Sequence, residues 1–168
     1  MDDTAGGTGK HGSGIPKPLI QQATAEGLWQ FSLAHYSHND VKQACLKLQD
    51  DYQGNVNLAL MLVWLEFSGF SFSDDSLNIL RQAIADSEML LRRYRYMRRE
   101  LKSELSHANY QKLLNFELML EKKQQQDLVS TVNQLPWLTD GPSTLRHYCL
   151  QLSASAVTLY PQLSRVSG

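Results

Sequence analysis

The chain is 168 residues long, carries 16 Lys+Arg against 17 Asp+Glu, and is 42% hydrophobic. Such a length and composition describe one ordinary globular domain and exclude both a chain disordered throughout and a histone-like polycation. Two cysteines, Cys45 and Cys149, exclude a disulfide scaffold, and both fall at apolar positions of helical segments, where a reduced and buried thiol is expected.

The first 23 residues read as a flexible tail, because half of the ten glycines lie in Gly6 to Gly14 and Pro16 and Pro18 follow. A segment of that kind buries too little apolar surface to offset its chain entropy. The run Gly6 to His11 superficially suggests a phosphate-binding loop, but Thr4 stands where the leading glycine is needed and His11 where Ser or Thr is needed. The tail has no apolar signal-peptide core. The longest apolar run, Leu58 to Leu65, is far short of the roughly 20 residues of a membrane span. A soluble, cytoplasmic protein is expected.

From Thr24 onward the apolar residues recur with helical period. A first helix is expected from an N-cap at Thr24 to about Tyr36, and a second, capped by Asn39, carries Val41, Ala44, Cys45 and Leu48 on one face until Gly54 stops it. The third, 56–68, is apolar all round apart from Glu66, the mark of a helix surrounded by others. Asp74 and Asp75 are expected to cap a long fourth helix reaching about Leu105, and Asn109 a fifth to about Val132, with Leu113, Phe116 and Leu120 on one stripe. Pro142 opens a sixth that closes before Pro161. No segment alternates with period two. The expected fold is therefore all-α: a compact bundle of about six helices around a buried central helix, without a sheet, forming a single domain over 24–160 with a C-terminal tail over 161–168.

Charge is distributed unevenly. Residues 24–91 hold three basic and nine acidic side chains, whereas residues 92–123 hold nine basic and four acidic ones. On a helix turning about 100° per residue, Arg92, Arg95, Arg98, Arg99 and Lys102 share an arc of about 120°, with Leu90, Tyr94, Met97, Leu101 and Leu105 opposite. The expectation is a helix with one apolar packing face and one continuous cationic face. Arginine at this density suits phosphate or carboxylate recognition. A solvated face balanced by the acidic half of the same chain, or by a second subunit, is the alternative.

Reactive constellations are sparse. Glu104 and His107 have the i, i+3 spacing of bundle di-iron sites, without the second copy such a site requires. His35 and His38 straddle a helix end with no third ligand nearby in sequence. Glu66 reads either as a rim carboxylate paired with an arginine or as a buried acid with a raised pKa. Glu117 and Glu121 share one face and read as surface residues or as acceptors for the arginines. Trp29, Tyr52 and Trp64 read as core. No Gly-x-Ser-x-Gly elbow occurs, and nothing calls for a catalytic residue, a metal or a cofactor.

Leu28 to Leu33 (LWQFSL), Val41 to Asp51 (VKQACLKLQDD), Asn55 to Leu58, Trp64-Leu65 and Gly69 together resemble the signature of an uncharacterised family of small all-helical proteins common in gammaproteobacteria. The segments Leu91 to Lys102 and Glu117 to Glu121 continue the resemblance, which spans roughly 26–130. That family is taken to include the type VI secretion regulator TsrA, a repressor of secretion genes. The resemblance implies control of gene expression through DNA or a protein partner, and no catalytic residues. The chain is thus expected to be a non-enzymatic helical regulator or adaptor whose contact surface is the stripe Arg92, Arg95, Arg98, Arg99 and Lys102. Its partner is expected to be a protein, a second copy or DNA, with no small-molecule substrate or membrane. An oligomeric structural protein is the first alternative, and a metal-binding enzyme the second.

Overall fold

The computed structural model describes residues 22–165, so the predicted tail up to residue 21 lies outside the described residues, as do 166–168. The elements are α1 (Ala25–Tyr36), α2 (Asn39–Tyr52), α3 (Val56–Phe67), β1 (Phe70–Ser71), α4 (Asp74–Ala83), α5 (Ala85–Leu101), α6 (His107–Val132), β2 (Leu138–Thr139), α7 (Thr144–Leu152), a 3-10 helix (Ala154–Leu159) and α8 (Tyr160–Leu163). The chain is mostly helical, as its periodicity predicts, with α3 at the centre. Every α3 residue from Asn57 to Val63 is buried, and α1, α2, α6, α7, α8 and β1 all pack on it.

Short polar side chains start the helices by accepting otherwise orphaned backbone N–H groups. Thr24 Oγ1 accepts from Gly27 N at 3.1 Å and Asn55 Oδ1 from Leu58 N at 2.7 Å. Ser73, Ser106 and Ser143 do the same for α4, α6 and α7. Serines thus take the places predicted for Asp74-Asp75 and Asn109, one to three residues earlier. Asn39 is already helical rather than a cap. At the end of α2 the left-handed residue is Gln53 (φ 54°). Gly54 matters for close approach, since a Cβ there would sit 2.7 Å from Leu48 Cγ and 2.8 Å from Leu152 Cδ1.

Four expectations need correction. There are eight α-helices among the described residues rather than six. The expected single helix 74–105 breaks at Ile84, which is buried with φ −110° and ψ 3°. The sequence around it contains no Gly or Pro, so anchoring Ile84 in the core re-aims the chain. A sheet is also present: β1 and β2 pair antiparallel, Phe70 opposite Thr139 and Ser71 opposite Leu138. Two residues per strand leave no alternation to read. Trp137 holds the ladder in place, edge-on to Phe70 at 4.9 Å and Phe72 at 5.7 Å, and donates to the Val132 carbonyl at 2.9 Å. Finally, helical structure does not close before Pro161. Pro161 sits in the first turn of α8, and Leu163 is buried, its carbonyl accepting from His35 Nε2 at 2.7 Å.

At about 1.5 Å per residue, the 26 residues of α6 span about 39 Å. Its C-terminal half enters the body, where Leu128, Val129 and Val132 are buried. Its N-terminal half pairs with α5 as a helical hairpin. A buried polar network joins hairpin to body. Gln124 Oε1 accepts from Asn55 Nδ2 at 2.8 Å and from Asn57 Nδ2 at 3.0 Å, while Gln125 Nε2 donates to Ser32 Oγ and Asn57 Oδ1.

Candidate functional site

The basic segment lies on α5, and the structure turns it the other way round from its helical-wheel reading. Arg95, only 9% exposed, faces α6, where its guanidinium lies 3.6 Å from Glu117 and 3.4 Å from Glu121. Arg98 faces the same way, 3.3 Å from Glu117, and its Nη1 donates to Tyr110 Oη at 2.8 Å. The carboxylates at 117 and 121 are therefore internal acceptors rather than surface groups. Burial pushes the Glu121 carboxyl above the usual carboxylate range, with Arg95 pulling in the opposite direction. The cost of desolvating these charges is offset only because each finds a partner of opposite sign.

The other three stripe residues sit at the rim. Arg92 pairs with Glu88 at 3.2 Å and donates to Gln53 Oε1 at 2.9 Å. Arg99 is 3.5 Å from Asp50 at the end of α2, and Lys102 Nζ lies 5.7 Å from the centre of the Tyr110 ring. The expected continuous cationic face is thus divided: two arginines lock α5 to α6 and three residues remain at the edge. A helical wheel orders residues around an axis but cannot say which side meets the neighbour.

What α5 presents outward instead is the side expected to pack. Leu90 is 61% exposed and Met97 43%, and on α6 Phe116 is 49% exposed. Between them Tyr94 is half-buried, its ring 5.7 Å from that of Phe116 and its hydroxyl donating to the Leu113 carbonyl at 2.7 Å. These contacts place both stripes on one side of the hairpin. Leu90, Tyr94, Met97 and Leu101 are spaced four, three and four apart, and Leu113, Phe116 and Leu120 three and four apart, the spacing of a helix-packing seam. The seam was legible in the sequence; its exposure was not.

The remaining candidates have structural partners. Glu66 is not paired with an arginine: it accepts from Ser143 Oγ at 3.0 Å and from Leu145 N at 2.8 Å, closing the N-terminus of α7. Burial raises its pKa, and the hydrogen bonds from Leu145 and Ser143 oppose that rise. His35 is buried and stacks on Phe31 at 5.0 Å. Cys45 and Cys149 are buried free thiols, pushed up by burial to about 12 and about 11. Glu104 lies in the turn before α6 and His107 in its first turn, and among the described residues no three His, Cys, Asp or Glu side chains gather as a metal site. Trp64 and Tyr52 pack against the core, while Trp29 lies under Lys122, whose Nζ is 4.7 Å from the ring centre. No described helix is long and apolar enough to cross a membrane.

The model of a family described as "Protein of unknown function (DUF2390)" matches residues 27–128, more than half of the chain and nearly the stretch over which the family resemblance runs. No curated protein and no solved structure matches.

Proposed function

The chain belongs to that DUF2390 family, and from its own side chains we propose that it is a non-enzymatic regulator or adaptor that works by binding a protein partner on the outer side of the α5–α6 hairpin. The observation that carries this reading is the exposed seam Leu90, Met97 and Phe116 on a hairpin whose Arg95 and Arg98 face inward. Exposed large apolar side chains concentrated on one element mark an interaction surface. The segment remains rich in basic groups after Glu117 and Glu121 are spent on Arg95 and Arg98, so the partner that fits is an amphipathic helix with acidic flanks. The resemblance to a family taken to include a repressor of secretion genes is what supports placing that partner in the control of gene expression, in the cytoplasm.

DNA is the competing partner, and paired arginines argue against it because a guanidinium held by a carboxylate has little charge left for phosphate. A photo-crosslinker at position 97 in living cells is expected to trap one protein, with the adduct lost in Phe116→Glu and retained in Arg99→Gln. Retardation of duplex DNA that disappears in Arg99→Gln and Lys102→Gln, with no protein adduct, would overturn the proposal.

A further inference from the structure

A second feature lies at the root of the hairpin. Where α5 meets α4, α7 and the turn between α2 and α3, there is an open cleft with a cavity volume of about 480 Å³. That is within the range of about 300–1,000 Å³ of small-molecule sites.

The cleft is lined by three guanidinium groups, from Arg81 on α4 and Arg92 and Arg93 on α5, against one carboxylate, Glu88. Arg92 shares Glu88 with the amide of Asn55. Arg81 has a neutral acceptor, Gln151 Oε1 at 2.8 Å, and rests 5.7 Å from the centre of the Tyr148 ring. Arg93 is exposed and has no carboxylate partner among the described residues. Two positive charges are therefore left uncompensated in a concave site. This contrasts with Arg95 and Arg98 one and two turns further along, which carboxylates neutralise.

Tyr148 supplies an independent observation. Its side chain is 2% exposed and lines the cleft. Its hydroxyl oxygen accepts from Asn55 N at 2.7 Å, and among the described residues its proton has no acceptor. Burial pushes the phenol up to about 12, so the proton is retained at neutral pH. A buried hydroxyl with an unused donor seeks an acceptor. Ile84, Met89 and Leu152 add an apolar wall.

We propose that this cleft binds a small organic phosphomonoester: Arg81, Arg92 and Arg93 hold the phosphate, Tyr148 donates its free proton to a phosphate oxygen, and the organic group lies against Ile84, Met89 and Leu152. The charge count favours a dianion over a monocarboxylate, since two negative charges balance the excess of two positive ones. Planar guanidinium groups match phosphate oxygens two at a time. A ligand held there bridges α4 and α7 of the body to the first turns of α5. The proposal does not depend on the hairpin's partner, because Arg81 and Tyr148 stand on α4 and α7 rather than on the hairpin.

Calorimetric titration of the full chain at fixed ionic strength tests it, with phenyl phosphate, inorganic phosphate and benzoate as probes. Phenyl phosphate is expected to bind one to one at pH 7.5, tighter than either of the other two. Arg81→Gln and Arg93→Gln each weaken it about tenfold or more, the scale of a lost charge-assisted hydrogen bond, and the remote Lys112→Gln leaves it unchanged. Affinity should fall between pH 7.5 and 5, as the second phosphate ionisation near about 6 is reversed. Tyr148→Phe, if its melting temperature is maintained, weakens binding further. No saturable binding, equal affinity for benzoate, or affinity unchanged in both arginine variants would overturn the proposal. Arg93 is exposed, so its variant should fold and keep the test decisive.

Discussion

The body around α3 and the α5–α6 hairpin are built from similar amphipathic helices yet solved in opposite ways. In the body, apolar stripes turn inward: Leu58, Met61, Leu62 and Leu65 are sealed by six neighbouring elements. In the hairpin, α5 has α6 as its main neighbour, and ion pairs of Arg95 and Arg98 with Glu117 and Glu121 join the two beside the Tyr94 contact with Leu113 and Phe116. Leu90, Met97 and Phe116 of the apolar stripes are left outside. A hydrophobic pattern reports that a face is to be covered; it does not report that the cover belongs to the same chain.

Breaking the body should have the largest effect. Leu62→Ala leaves a cavity where nothing can collapse and is expected to cost about 2–5 kcal/mol, read as a lower denaturation midpoint. In the hairpin the equivalent deletion is ionic. Glu117→Ala strands Arg98 and leaves Arg95 with Glu121 alone, an expected loss of about 2–3 kcal/mol. The paired change Arg98→Met with Glu117→Leu should recover most of it, because the desolvation cost goes with the charges. If Glu117→Ala proved neutral in denaturant unfolding, the hairpin would not be locked as described.

The pH dependence sharpens the contrast at smaller scale. Burial raises the Glu66 pKa above its ordinary value of 4.5. A raised folded-state pKa contributes stability that is complete below the unfolded value and is lost as pH climbs through the folded one. Relative to Glu66→Gln, the wild type should therefore hold its greatest advantage below about pH 4.5 and lose ground above it. Parallel melting curves across pH 4 to 8 would show a constant difference if the carboxyl were not buried. The smallest stability effect belongs to the seam: Leu90→Ala should shift unfolding by no more than about 0.5 kcal/mol, as for an exposed site. A loss comparable to Leu62→Ala would mean that this face is covered within the chain.

Much of the architecture was legible locally. The caps at Thr24, the all-apolar α3 and the seam Leu113, Phe116, Leu120 follow from side-chain chemistry and spacing. The break at Ile84 was not, because no glycine or proline marks it and burial alone bends the chain there. Nor was the ladder of Phe70-Ser71 with Leu138-Thr139, too short for a period. Of the predicted contact residues, Arg92, Arg99 and Lys102 stand at the rim and Arg95 and Arg98 inside. The partners Glu117 and Glu121 were visible as a pair, but 19 and 26 residues separate Arg98 from Glu117 and Arg95 from Glu121. The convergence of Arg81, Arg92, Arg93 and Tyr148 depends on three segments meeting, and no spacing announces it.

By itself the sequence determined a helical chain, its first cap at Thr24, its most buried helix and the two-faced character of α5, because those depend on neighbours within a few residues. Only the tertiary structure decided which face of α5 met α6 and which arginines were paired with carboxylates. The physical reason is that burial and electrostatic pairing depend on distances through space, and those are set only when remote segments come together.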